Sequence, residues 1–128
     1  MTLTSVNPYT NTIIKEFKEH SEAEIEKRLQ RSKESFKKWK NTSFENREAL
    51  MLKVAQLLLD GTNTLSKTIS NEMGKPIKES RAEIEKCAWV CKYYAENAQT
   101  FLKQETKATD ADLSYITYEP LGTILGII

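Results

Sequence analysis

From residue 21 onward, apolar positions recur three or four apart with polar residues between them, the spacing of helices that bury one face. Ser21 and Glu24 form a capping box, in which each side chain satisfies an amide of the first turn. Ile25, Leu29, Phe36 and Trp39 then share one face of a helix over 21–40, with Ser32 filling the gap. Glu22, Glu24 and Glu26 open that helix while Lys33, Lys37, Lys38 and Lys40 gather toward its end, an order that complements the helix dipole. Thr42 and Glu45 predict a second capping box for a helix over 42–60, with Met51, Val54 and Leu58 on its buried face and Gly61 as its stop. A shorter helix over 63–73 repeats Leu65, Ile69 and Met73 until Gly74. Pro76 cannot extend that helix but suits the first turn of the next. The fourth helix, 77–102, carries a stripe of Ile84, Cys87, Ala88, Cys91, Ala95, Ala98 and Leu102 and would span about 39 Å. It needs partners along most of its length, since isolated helices are marginal in water.

The two ends follow the period of strands. Asn7-Pro8-Tyr9-Thr10-Asn11 is a turn, and the β-prone run 12–17 after it predicts a strand or half hairpin. Residues 103–112 are polar and predict a linker. Leu113-Ser114-Tyr115-Ile116-Thr117-Tyr118-Glu119 alternates and predicts a strand that Pro120 ends. After Gly122, Thr123-Ile124-Leu125-Gly126-Ile127-Ile128 is nearly all apolar, as in a strand buried on both faces of a parallel sheet. Such a strand needs neighbours on both edges, and few other strand candidates are present, so the expectation is of a fragment of a larger fold.

With 128 residues, 39% hydrophobic and 29% charged, the composition is that of a soluble, ordered, helix-rich chain of one domain or part of one. Nineteen basic and 18 acidic residues nearly balance, which argues against a dedicated nucleic-acid domain. No apolar run is long enough for a membrane helix, and residues 1–8 lack a secretory pattern. Two cysteines cannot build a disulfide framework, so the expected compartment is the cytoplasm. Cys87 and Cys91, one turn apart, could suggest a metal or redox pair. The single His20 is far away and no further ligand is evident, so packing is the favoured reading. Lys27, Arg28, Arg31, Lys33, Lys37, Lys38 and Lys40, with Glu34 opposed, read as a solvated helix face. Gly74-Lys75-Pro76 lacks the spaced glycines and the Lys-Ser/Thr ending of a phosphate loop. Glu72 and Glu79 could form an acid/base pair, but no second feature supports one.

Three segments together resemble the aldehyde dehydrogenase superfamily: Asn7-Pro8-Tyr9-Thr10, then Glu72-Met73-Gly74-Lys75-Pro76 with Glu79 and Glu83, then Tyr118-Glu119-Pro120-Leu121-Gly122-Thr123-Ile124-Leu125-Gly126-Ile127. They occur in the family's order and span the chain. The stretch 71–102, with Cys87-Ala88-Trp89 and Tyr93-Tyr94-Ala95-Glu96-Asn97, is similar to bacterial succinate-semialdehyde dehydrogenases. The resemblance implies an α/β family fold of which this chain is a mainly α portion, with four helices, an N-terminal β segment and two C-terminal strands lacking most of their sheet. Its parts would be 1–112, the helical part of the cofactor-binding domain; 113–121, a strand toward the oligomerisation sheet; and 122–128, the start of the first nucleotide-binding strand.

The resemblance also implies a reaction. In the family a cysteine thiolate attacks an aldehyde, hydride passes to NAD or NADP, and water releases the carboxylate. An asparagine and a backbone amide stabilise the oxyanion. The family's catalytic residues fall at positions beyond Ile128, so no catalytic residue is assigned and the chain alone is expected to be inactive. Ile127 and Ile128 match strand-end residues beside the cofactor's adenosine. The backbone carbonyls near Val6 and Glu72 match part of a structural monovalent-cation site. The implied partners are a small aldehyde, with succinate semialdehyde favoured, and further copies of the full-length chain in a homo-oligomer; no nucleic acid or membrane is implied. The competing expectation is a non-catalytic helical interaction module descended from such an enzyme.

Overall fold

Side-chain caps set where the first two helices begin. In the computed structural model, which describes residues 2–127, Ser21 stands before α1 (Glu22–Trp39). Its Oγ accepts from the Glu24 amide at 3.3 Å, and Oε2 of Glu24 accepts from the Ser21 amide at 2.8 Å. The next cap differs from expectation. Ser43, not Thr42, precedes α2 (Phe44–Asp60) and accepts from the Asn46 amide at 3.3 Å. Thr42 is used one turn earlier, its hydroxyl donating to the Trp39 carbonyl at 2.7 Å, so it finishes α1. Gly61 separates α2 from α3 (Thr62–Met73). Gly74, at φ +67°, ends α3 and donates its amide to the Ser70 carbonyl. Pro76 precedes α4 (Ile77–Phe101), whose 25 residues reach about 37 Å.

Helices α2 and α3 both pack on α4. The buried side chains are small: Ala55 of α2, Ser66 of α3, and Ser80, Ile84, Ala88 and Ala95 of α4. This seam departs from the predicted faces. Met51, Val54, Leu65 and Met73 are exposed, as are Cys87 and Leu102, and Cys91 is only half-buried. Small residues let helix backbones approach closely, so contact runs along alanines and serines while the larger neighbours flank it. Ser80 shows how a polar group is accommodated there. Its hydroxyl lies 3.0 Å from that of Ser70 and 3.3 Å from the Pro76 carbonyl, which it can reach as a donor.

The N-terminal β segment is a full hairpin. β1 (Thr2–Val6), which the sequence reading did not anticipate, pairs antiparallel with β2 (Ile13–Lys18), with a register shift between Ser5 and Val6. In the turn, Asn7 Oδ1 accepts from the amides of Tyr9 and Thr10, and Asn11 adopts φ +59°. At the other end, β3 (Glu105–Thr106) pairs with β4 (Tyr115–Ile116). The expected strand over 113–119 therefore shrinks to two residues, and the expected linker supplies its partner. Residues 123–127 form no strand, a correction with a plain cause: an apolar run becomes a strand only where another strand accepts its hydrogen bonds. Residue 128 lies outside the described residues.

α1 has no buried residue. What touches its apolar face is the segment after Pro120: the Phe36 ring lies 3.8–4.0 Å from where a Cβ on Gly122 would stand, and the Ser32 and Thr123 hydroxyls are hydrogen bonded. The chain exposes 11085 Å² in all. A compact monomer of 14.7 kDa exposes about 6,900 Å².

Candidate functional site

The hairpin turn and the end of α3 meet at one corner. The Ser5 hydroxyl donates to Glu72 Oε1 at 2.8 Å, and Pro8 covers Gly74 so closely that an added Cβ there would lie 3.0 Å from Pro8 Cγ. Val6, half-buried, is next to Ser5 in β1, so the two residues matched to the family's cation site come to the same corner. Glu72 lies in the last turn of α3, where backbone carbonyls lack intrahelical partners and the helix dipole is negative. Its main-chain oxygen is thus the right kind of donor for a hard cation, as is the Val6 carbonyl.

Beside this corner, the Lys75 ammonium is paired with Glu83. That hydrogen bond, with added attraction from the charges of Glu83 and Glu79, raises the Lys75 pKa above the ordinary lysine value. Glu72 and Glu79 are thereby divided between partners, the one taking the Ser5 hydroxyl and the other facing Lys75; they do not act as a pair. Farther along, Arg81 Nη2 donates to Asn63 Oδ1 at 3.1 Å, linking α4 to α3.

Ile127 is 91% exposed, so this chain alone presents no walled nucleotide site there. Ile128 lies outside the described residues. Cys87 and Cys91 are both free thiols in the middle of α4, and no group of three or more His, Cys, Asp or Glu residues with metal-binding geometry occurs among the described residues. The basic stretch of α1 is exposed.

Two features escaped the sequence reading. Trp89 stacks on Tyr93 at 5.7 Å, and Tyr93 also meets Tyr94 and Phe101, an aromatic ridge on α4 whose signal was spacing of four between residues 89 and 93. Near it, the Arg47 guanidinium lies 4.4 Å over the Phe44 ring, with its Nε buried and unpaired, on the wall of a groove shared with Met51, Tyr94 and Leu102.

The profile of the aldehyde dehydrogenase family matches residues 1–128. The chain belongs to that family. A Synechocystis sp. protein named "Probable succinate-semialdehyde dehydrogenase" (NADP(+)) is 34% identical over 128 residues, all of this chain and 28% of that protein. A Deinococcus radiodurans succinate-semialdehyde dehydrogenase (NADP(+)) is 32% identical over 123 residues, 96% of this chain and 26% of that protein. Among solved structures, Gox0499, described for its cofactor and substrate selection, superposes with a TM-score of 0.91 at 26% identity, covering 94% of this chain and 27% of that one. The succinic semialdehyde dehydrogenase of Streptococcus pyogenes, solved with NADP+, gives 0.84 at 28% identity, over 89% of this chain and 25% of that one. The chain thus spans about a quarter of the length of each of these proteins. Its helices and hairpin are part of their fold.

Proposed function

We propose that this chain is the N-terminal part of an NAD(P)-dependent aldehyde dehydrogenase that oxidises succinate semialdehyde to succinate. One observation carries the reading: relatives named for that substrate align with the whole chain at 30–34% identity. The use of NADP by several of them favours a nicotinamide cofactor for the whole protein.

Within such an enzyme, this chain supplies scaffold. The Ser5–Glu72 and Pro8–Gly74 contacts fix the hairpin against α3, and the carbonyls of Val6 and Glu72 would contribute to a structural monovalent-cation site. The chain supplies no nucleophile in this reading and is inactive alone. Cys87 and Cys91 sit in mid-helix, and the family's cysteine lies elsewhere in its sequence. Two unpaired thiols suit the reducing cytoplasm, and no helix among the described residues is long and apolar enough to cross a membrane. Association of full-length copies follows the commonest pattern for soluble enzymes, a closed homo-oligomer.

The test joins these 128 residues to the portion of the Deinococcus protein beyond its matching segment. NADPH formation with succinate semialdehyde is expected from the joined protein and not from the 128-residue chain. A folded joined protein that forms no NADPH with succinate semialdehyde would overturn the scaffold role. Turnover by the short chain, lost in Cys87→Ala or Cys91→Ala, would overturn the scaffold role.

A further inference from the structure

The two cysteines of α4 do not sit where packing would put them. Cys87 is exposed and Cys91 only half-buried, while the helix buries Ile84, Ala88 and Ala95 beside them. An exposed cysteine forgoes the burial that its apolar character favours, so its thiol chemistry becomes the part to explain. Both thiols are free, and the four-residue step along continuous helix sets them on one face, one turn apart.

Helix geometry decides what such a pair can do. Side chains at this spacing stand about 5–6 Å apart at Cβ. A disulfide needs about 3.5–4.5 Å, so the two sulfurs cannot join without unwinding the helix. A metal ion between them relaxes that demand. Two metal–thiolate bonds of about 2.3 Å in line separate the sulfurs by about 4.6 Å, a span that χ1 rotamers one turn apart can reach. Ligand number then selects the ion. Zinc takes four protein ligands in structural sites and three in catalytic ones. No group of three or more His, Cys, Asp or Glu residues with metal-binding geometry occurs among the described residues. Glu83, one turn before Cys87, has its carboxylate engaged by Lys75. Two thiolates alone suit a soft monovalent ion, and copper(I) is the one that thiolate donors select.

We infer that Cys87 and Cys91 form a two-coordinate site for copper(I) on α4. Each thiol gives its proton to solvent as its sulfur binds, so one copper ion displaces two protons and keeps its oxidation state. The site uses no residue of the Ser5–Glu72 corner and does not depend on the substrate proposed above.

Copper(I) competition tests this on the reduced 128-residue chain. The chain is titrated without oxygen against the coloured complex of copper(I) with bicinchoninate, with ascorbate keeping the metal monovalent. One copper per chain is expected, with no change in association state on loading. Cys87→Ser should weaken binding by roughly a hundredfold or more, because the remaining thiolate then acts alone. Lys86→Cys/Cys87→Ser keeps two thiols but turns one of them about 100° around the helix, and it should not restore the affinity. Positions 86 and 87 are both exposed, so these variants should keep the helical circular dichroism. Cys87→Ala replaces the serine variant if helix is lost. Copper held equally by the single-thiol chain, or by the turned pair, overturns the proposal. So does one copper per two chains, which is a bridge between copies, and so does a failure to take copper from the chelator.

Discussion

The Ser5 hydroxyl donates to Glu72 Oε1 across 2.8 Å, tying β1 to the last turn of α3 over 67 residues of chain. The hairpin is otherwise exposed along β2, so this bond is a main anchor. Ser5→Ala is expected to cost about 0.5–1.5 kcal/mol locally, the usual net worth of one hydrogen bond. Amide exchange should accelerate roughly two- to tenfold in the hairpin and stay unchanged in α4. Equal acceleration in both would make the hairpin part of a single unfolding unit.

Gly74 combines a left-handed backbone, φ +67°, with Pro8 at the distance where a Cβ would crowd it. Gly74→Ala should destabilise the chain by about 1–3 kcal/mol, measured as a shift of the urea midpoint. Adding Pro8→Ala should restore the part due to crowding and leave the backbone part, a non-additivity that a double-mutant cycle reads directly.

Ser80 is fully buried where α3 meets α4. Ser80→Leu should push the two helices apart at about 1–3 kcal/mol, while Ser80→Ala should lose only the exchange with Ser70, about 1 kcal/mol. The opposite order, with leucine stabilising, would mean that the seam holds unused space.

The acid and alkaline limbs of stability have different sources. The Ser21 amide and hydroxyl hold Glu24 below the ordinary carboxylate value, so the capping box contributes fully above that value and fades as pH falls through the lowered one. Lys75 is raised, so its link to Glu83 contributes fully below the ordinary lysine value and fades only as pH rises through the still higher folded one. Thermal melts should therefore show the Glu24→Ala deficit at neutral pH shrinking on acidification. The Lys75→Met deficit should be constant near neutrality and, on the alkaline side, shrink only in strong alkali.

Leu121, Ile124, Leu125 and Ile127 are each at least 70% exposed, and each forgoes about 1.5–3 kcal/mol available on full burial. Exposed apolar segments of this kind promote self-association. Deleting residues 113–128 should raise the monomer fraction in light scattering and leave the helical circular dichroism nearly unchanged. Loss of helix on deletion would show that Gly122 and Thr123 hold α1 in place.

What could be read from the residues alone was what local chemistry sets. Ser21 with Glu24, Gly74, and Pro76 placed helix ends because caps and stops act within a turn. On α4 the predicted stripe holds at Ile84, Ala88 and Ala95, whereas on α2 and α3 size misleads: the large residues Met51, Val54 and Leu65 stay exposed and close approach favours Ala55 and Ser66, with Ser80 joining them from α4. β1 was legible in hindsight, since Thr2-Leu3-Thr4-Ser5-Val6 is β-prone and runs into an Asn-Pro turn. The strand expected over 123–128 depended on partners that no local signal supplies. At the corner, Val6 and Glu72 came from family resemblance. Ser5, which joins them, had no local sign of its role, because a bond spanning 67 residues exists only once the fold has formed.

The small-residue seam bears on how the chain responds to temperature. Unfolded, a chain of 14.7 kDa exposes about 21,000 Å², so folding here removes only about half of that surface from water, against more than two-thirds in a compact domain of similar size. The heat-capacity increment on unfolding scales with apolar surface newly wetted. It should therefore fall well short of the roughly 12–15 cal/mol/K per residue of compact domains. A shallow stability curve follows, with helices that melt over a broad span.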